Sequence, residues 1–408
     1  MREAAAGLGG DAKVVGLIST AHFFSHFYQL VLPPLFPVLK EALGVNYADL
    51  GLLMTLFYVA SGLAQTPAGF LVDRFGARRI LLLGLGLLAA ATVGLGLAPG
   101  YWALLPLVVL AGLGNSVFHP ADYSILTAMV SSARMGRAYS IHTIGGNLGW
   151  AAAPVFMLAL ATLLDWRLAL IVAGAIGLLV TGMLFLQRQA LDAAPAGVPE
   201  SRRSVRPAEA GDATPLFSRA VVLCFVYFLF LSVAMIGVQS FLPTTLLALH
   251  DTPLTVGNTA LTTFLLFGSV GILVGGVVAD RSTRHHVVVA GGLIIAAALF
   301  LAIGEASLAP VALIGTVGAA GFLMGSTMPS RDMLVRAASP EGATGRVFGF
   351  VYSGLDAGAA VGPFVIGLLL DGGRPEAAFW FVAGVLTCAI LAAVAVRGHR
   401  RPSVQPAE

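Results

Sequence analysis

The chain has 408 residues, of which 58% are hydrophobic and only 11% charged. Soluble domains carry roughly 25% charged residues, so the composition excludes a soluble fold of this length and indicates an integral membrane protein. The net charge of +3 says little as a sum; where the charges stand says more.

A helix that crosses the hydrocarbon core needs roughly 20 apolar residues. By that rule the chain is expected to hold twelve spans, at 14–39, 47–72, 80–98, 102–130, 138–164 and 168–186, then 216–249, 255–279, 287–304, 309–335, 347–370 and 377–396. Backbone groups in lipid must be satisfied within the segment, so every span is a helix. The first span is too long for a cleaved leader and is expected to stay. Residues 187–215, rich in Ala, Pro, Glu and Arg, have no periodic apolar face and read as a flexible cytoplasmic linker, with at most a surface helix. The expected domains are therefore a six-helix bundle at 1–186, the linker, and a second bundle at 216–408. Cys224 and Cys388 stand in apolar runs and suggest neither a disulfide nor a metal site.

Orientation follows from the positive residues. With the N-terminus inside, nineteen of the 23 Lys and Arg fall on the cytoplasmic side, and only Lys40, Arg167 and Arg374 fall outside. Arg331 lies within a span. Both termini are thus expected in the cytoplasm.

The two halves repeat each other, and internal repeats fix architecture early. Gly69-Phe-Leu-Val-Asp73-Arg74-Phe-Gly-Ala-Arg78-Arg79 stands between two apolar runs and returns as Gly276-Val-Val-Ala-Asp280-Arg281-Ser-Thr-Arg284. Gln29-Leu-Val-Leu-Pro33 returns as Gln239-Ser-Phe-Leu-Pro243. Pro120 corresponds to Pro329, and Arg137 through Pro154 to Arg346 through Pro363. In the last pair, Gly145, Gly149 and Ala153 match Gly354, Gly358 and Gly362, a spacing that lets helices approach closely. Pro120, Pro154, Pro329 and Pro363 are candidate hinges.

The twin charged hairpins resemble the loop motif of the major facilitator superfamily. The resemblance covers nearly the whole chain and implies an all-α membrane protein, with twelve transmembrane helices in two pseudo-symmetric six-helix bundles. It also implies that Asp73 faces the N-terminal end of the eleventh helix and Asp280 that of the fifth. A carboxylate is stabilised at a helix N-terminus, so Gly69, Asp73, Arg74, Asp280 and Arg281 are expected to form a cytoplasmic latch that breaks when the cavity opens inward. Within the superfamily, Gly112-Leu-Gly-Asn-Ser116-Val-Phe-His119-Pro120 and Gly145-Gly-Asn147-Leu-Gly149 resemble the fosmidomycin-resistance branch. There an acid often follows the proline directly; here Ala121 intervenes and Asp122 follows.

Ionisable groups inside spans are costly and tend to face a water-filled path. His22, His26 and Gln29 share one face of the first helix. His119, Asp122 and Tyr123 lie on the fourth, and Gln239 on the seventh. With Arg331 these are the candidate cavity residues. Asp122 and Arg331 hold matching positions in the repeat and are expected to pair across the cavity. Asp332 is expected to pair with Arg336 four residues on. Asp122 and Asp356 are the candidate proton carriers. His142 is expected only to mark a helix interface. A metal site of His22, His26 and His119 is not expected, because nothing in the sequence brings the first and fourth helices to ligand distance.

No Walker loop and no catalytic constellation is present, so the expectation is a secondary transporter and not an enzyme. It would work by alternating access, coupled to protons and exporting a small organic molecule or drug. Uptake of an organic anion held by Arg331 is the alternative, and a membrane receptor without transport a more distant one. Expected partners are a small-molecule substrate, protons and the lipid bilayer of a bacterial inner membrane. Neither nucleic acid, cofactor nor metal is expected, and the protein is expected to be a monomer.

Overall fold

Proline and glycine placement decides where the apolar runs of this chain are cut into helices. The computed structural model describes residues 2–131, 134–191, 218–339 and 344–396. The linker expected at 187–215 lies outside the described residues from 192 onward. Within them every regular element is helical, as expected. The first half comprises α1 (Arg2–Gln29), the short α2 (Phe36–Leu43), α3 (Tyr47–Phe75), α4 (Ala77–Leu97), α5 (Tyr101–Asn115), α6 (Phe118–Met129), α7 (Met135–Leu163) and α8 (Trp166–Leu186). The second comprises α9 (Arg219–His250), α10 (Leu254–Arg281), α11 (His285–Glu305), α12 (Pro310–Ala338), α13 (Thr344–Asp371) and α14 (Pro375–Ala395).

Among the described residues eleven spans are long and apolar enough to cross a bilayer by themselves, with α5 and α6 counted together; α1 falls short of that measure and packs against α7. Two spans depart from the uninterrupted runs the sequence suggests. The first stops at Gln29, and a 3-10 turn over Pro33–Leu35 leads into α2. Two consecutive prolines remove two amide donors and end the helix. The equivalent α9 has one proline, Pro243, and runs through it. The fourth span breaks at Ser116–Val117. Pro120 cannot donate to the carbonyl four residues earlier, at Ser116, and sits instead in the first turn of α6, where its missing N–H costs nothing. Pro154, Pro329 and Pro363 lie inside unbroken helices.

Polar residues cap the ends. Asn46 and Asp49 form a reciprocal capping box at α3, Asp165 accepts from the Leu168 amide at α8, and Ser218 accepts from Val221 at α9. The outward faces are apolar, as a lipid-facing surface must be: Leu63, Phe70, Leu83, Leu163, Leu179 and Leu186 are all largely exposed.

The repeat is visible in the packing. The α7 helix lies on α1 and α13 lies on α9 through their small residues. A methyl at Gly149 would meet the Phe23 carbonyl of α1 at 2.1 Å, and one at Gly358 would meet the Leu229 carbonyl of α9 at 2.3 Å. The halves then meet along two seams, α3 against α13 and α7 against α10. Gly358→Val should therefore force α13 off α9 and lower stability by about 1–3 kcal/mol. Gly69→Ala, which meets nothing within 4 Å, should leave the melting temperature in detergent unchanged.

Candidate functional site

The seams close one end of the space between the halves. Asp371, the last residue of α13, accepts from the amides of Tyr47 at 2.8 Å and Ala48 at 2.7 Å. Both are orphan donors of the first turn of α3, so a carboxylate here meets free N–H groups and the positive end of the helix dipole together. Lys40 stands 4.0 Å from Asp371 and 4.0 Å above the Tyr47 ring. Deeper along the same seam, Thr55 donates to the Ala360 carbonyl at 2.5 Å, and Gly51 lies against the backbone of Pro363 and Phe364. On the other seam Thr262 donates to the Ala151 carbonyl at 3.0 Å. Phe36 of α2 lies tilted against Phe241 of α9, with ring centres 4.9 Å apart.

The charged hairpins lie at the opposite end. Asp73, Arg74, Asp280 and Arg281 are exposed, and neither aspartate forms an ion pair or hydrogen bond with another described residue. Among the described residues the expected contact of Asp73 with α13, and of Asp280 with α7, is not found. Asp73 instead borders a surface recess with Arg78, Arg79, Ser124 and Leu191. The side chains of Thr344, Gly345 and Arg346 at the start of α13 lie outside those described.

Between the halves, Asn147 and Trp150 of α7 face Met235 and Gln239 of α9, Phe264 and Ser269 of α10, and Met324 and Met328 of α12 across one recess. Gln239 is buried, and its side-chain oxygen has no partner. Gln29, its counterpart in the repeat, is engaged. It accepts from the Trp150 indole at 3.0 Å and donates to Asn115 at 3.2 Å. Asn115 also accepts from Ser25 at 2.9 Å and donates to Ser61 at 2.9 Å. This chain ties α1, α3, α5 and α7 together and holds the indole at the cavity wall.

Behind Trp150 lies a stack of rings. His26 lies against Trp150 at 4.1 Å, His22 against His26 at 4.3 Å, and His142 against His22 at 3.8 Å. Asp122 is fully buried, with His22 Nδ1 at 3.2 Å and His142 Nε2 at 3.7 Å from one of its oxygens. The first and fourth spans therefore do come to ligand distance, contrary to the sequence expectation, and His142 belongs to the cluster. His119 stands 5.6 Å from His22 and 6.1 Å from Tyr123; both His119 and Tyr123 are exposed.

Arg331 corrects a second expectation. It does not pair with Asp122. Its Nε donates to Asp332 at 2.9 Å, its guanidinium lies 4.5 Å over the Phe228 ring, and Tyr352 is at 3.5 Å and donates to Asp332 at 3.1 Å. Asp332 is thus bonded to its neighbour Arg331 and to Tyr352, and not to Arg336. Asp122 and Arg331 do hold matching places, but each turns toward the first and fifth spans of its own half. Asp356 is half-buried at the seam, where a methyl on Gly62 of α3 would meet its Cβ at 3.1 Å. No ion-pair partner for it is found among the described residues.

The sequence reading assigned His142 to a helix interface and passed over Asn115, Trp150 and Asp371 as site residues. A signal existed for His142: it stands four residues before Gly146, on a helix whose small residues already mark the face turned to α1. None existed for Asp371, which ends an apolar run far in sequence from Tyr47.

This geometry, two pseudo-equivalent bundles around a recess sealed at one end, defines a multi-pass membrane transporter of the secondary kind. The chain belongs to the Major Facilitator Superfamily, whose family model matches residues 18–257 and 246–408. It is 24% identical to the fosmidomycin resistance protein of Escherichia coli over 367 residues, covering 88% of this chain and 86% of that one. It is 27% identical to the membrane sensor protein UhpC of Salmonella typhimurium over 332 residues, covering 74% of this chain and 73% of that one. Its fold matches a bacterial homologue of the human lysosomal transporter Spinster in an inward-facing and occupied conformation, with a TM-score of 0.78 at 16% identity over 95% of this chain and 96% of that one.

Because Asp122 and Arg331 share no partner, their effects should be independent. The stability losses of Asp122→Asn and Arg331→Gln, measured by denaturation in detergent, should add in the double variant within about 0.5 kcal/mol. A larger coupling would mean that the two side chains meet.

Proposed function

We propose that the protein is a proton-coupled carrier that exports a small, largely apolar organic molecule by alternating access. The observation that carries this reading is the recess between the halves. Three methionines, Phe264 and Trp150 line it, beside the amides of Asn147 and Gln239. Thioether and aromatic side chains adapt to varied apolar shapes, and the two amides supply orientation without a fixed charge. A sugar phosphate or dicarboxylate would need an unpaired cation there. Arg331, the candidate for that role, is already matched by Asp332 and Tyr352, which argues against the organic-anion alternative.

With the hairpins in the cytoplasm, as the distribution of arginines favours, the sealed end faces outward and the recess opens inward. An exporter loads in this state. Asp356 is the proton acceptor in this reading. It sits where α3 and α13 close on each other, and a carboxylate without a cation is costly to enclose in a seam. Proton uptake from the outward side would let the seam close, and release to the cytoplasm would follow as the hairpin ends part. The membrane in this reading is the bacterial inner membrane, with both termini inside. The similarity to the sensor UhpC leaves a receptor as the second class; active transport by the purified protein would exclude it.

Two measurements test the proposal. In vesicles with an imposed pH gradient, Asp356→Asn should abolish concentrative transport of a recognised compound while substrate exchange continues; retention of pH-driven uptake would remove Asp356 from the coupling. Asp371→Ala removes the acceptor of the Tyr47 and Ala48 amides and should loosen the outer seam, lowering the transport rate; a wild-type rate in this variant would remove Asp371 from the closing of the outer end.

A further inference from the structure

His22, Asp122 and His142 lie at the junction of α1, α6 and α7 and are 3%, 0% and 1% exposed. His22 Nδ1, His142 Nε2 and an Asp122 carboxylate oxygen all lie within 4.8 Å of one another. Both oxygens of Asp122, both nitrogens of His142 and Nδ1 of His22 are buried without a hydrogen-bond partner. Buried polar atoms in folded proteins are nearly always satisfied. Five bare atoms converging on one place need an occupant that supplies electrophilic contacts to all three side chains.

We propose that these three residues form a binding site for one divalent transition-metal ion of the zinc, cobalt or nickel class. Ligands held about 2.0–2.2 Å from a tetrahedral ion stand roughly 3.4 Å from each other. The two distances to the carboxylate, 3.2 and 3.7 Å, fall on either side of that value. Two imidazoles with one carboxylate favour late first-row ions over magnesium or calcium, which prefer all-oxygen sites. The His22 and His142 rings are stacked 29° from parallel, so their in-plane lone pairs diverge as they stand, and joint binding of one ion requires a ring to turn about its Cβ–Cγ bond. For His142 that rotation breaks no hydrogen bond, because neither nitrogen makes one. His119, whose ring centre is 5.6 Å from that of His22, is the exposed imidazole beside the site. The site rests on the first half alone and is independent of the cargo, the direction of transport and the coupling at Asp356.

Tag-free protein, purified in detergent and stripped with a chelator, would be equilibrated with zinc or cobalt ions. Bound metal would be counted by mass spectrometry, and the cobalt form read by its visible absorption. The expected result is one ion per chain, strong absorption of tetrahedral cobalt, and no displacement by excess magnesium. His22→Ala, Asp122→Asn and His142→Ala should each weaken binding at least about tenfold, while His286→Ala should not. Wild-type protein that retains well under one ion per chain, or that gives only the weak absorption of six-coordinate cobalt, overturns the proposal whether or not the variants fold. Undiminished binding by His142→Ala and Asp122→Asn overturns it equally.

Discussion

A carboxylate set on the first turn of a helix from the other half of the molecule governs the shape of this protein. Asp371 joins the end of α13 to the start of α3, and the backbone contacts of Gly51 and Gly367 continue the seam inward. A charge at a helix N-terminus is worth about 0.3–1 kcal/mol when exposed and up to about 2 kcal/mol when partly buried. That scale suits a carrier, because a joint that must open in every cycle cannot be much stronger than the gap between its two states. The superfamily resemblance directed attention to carboxylates at the hairpin end. The contact present in this state has the same chemistry at the opposite end.

Pseudo-symmetry places side chains without dictating what they meet. Asp122 and Arg331 occupy corresponding sites, and each points into the bundle it belongs to. Ridge-to-groove packing explains this: the small residues of α7 and α13 draw those helices tightly onto α1 and α9, so the polar face of the fourth and tenth spans finds partners locally. Asp122 meets histidines; Arg331 meets Asp332, Phe228 and Tyr352. Arg331, already matched within its own half, does not need the other half as a counter-ion.

Much of this was legible in the chain because lipid imposes simple rules. Span count, helical character and the duplicated plan follow from run length and repeated motifs, and Pro120 pointed to the one break in the fourth span's interior. Pro33 and Pro34 were equally visible, but an apolar run that continued beyond them hid the end of α1. The candidate site was legible in membership and not in pairing. His22, His26, His119 and Asp122 were recognised as costly groups, yet which of them touch depends on helix rotation, which hydropathy does not encode. Asn115 and Trp150 were not singled out because neither is ionisable nor matched by a like residue in the repeat. Their importance comes from a chain of hydrogen bonds among four helices that assembles only in the fold.

The two halves divide their chemistry unequally. The first concentrates four histidines, Asp122 and the Gln29–Asn115–Trp150 network behind its wall of the recess. The second presents mostly thioether, aromatic and aliphatic surface, with Gln239 as its buried polar point. Gln29 and Gln239 hold equivalent positions in the repeat and differ in their surroundings. The first has an indole and an amide within reach and is locked; the second keeps a bare oxygen in the recess. Trp150 is the physical link between these regions, since one of its faces stacks on His26 while its ring also borders the recess. A change in charge or occupancy among the histidines would therefore reach the recess within one ring, through packed aromatic surfaces that cannot deform gradually. An arrangement of this kind joins a polar interior to an apolar wall without placing a charge in the wall itself.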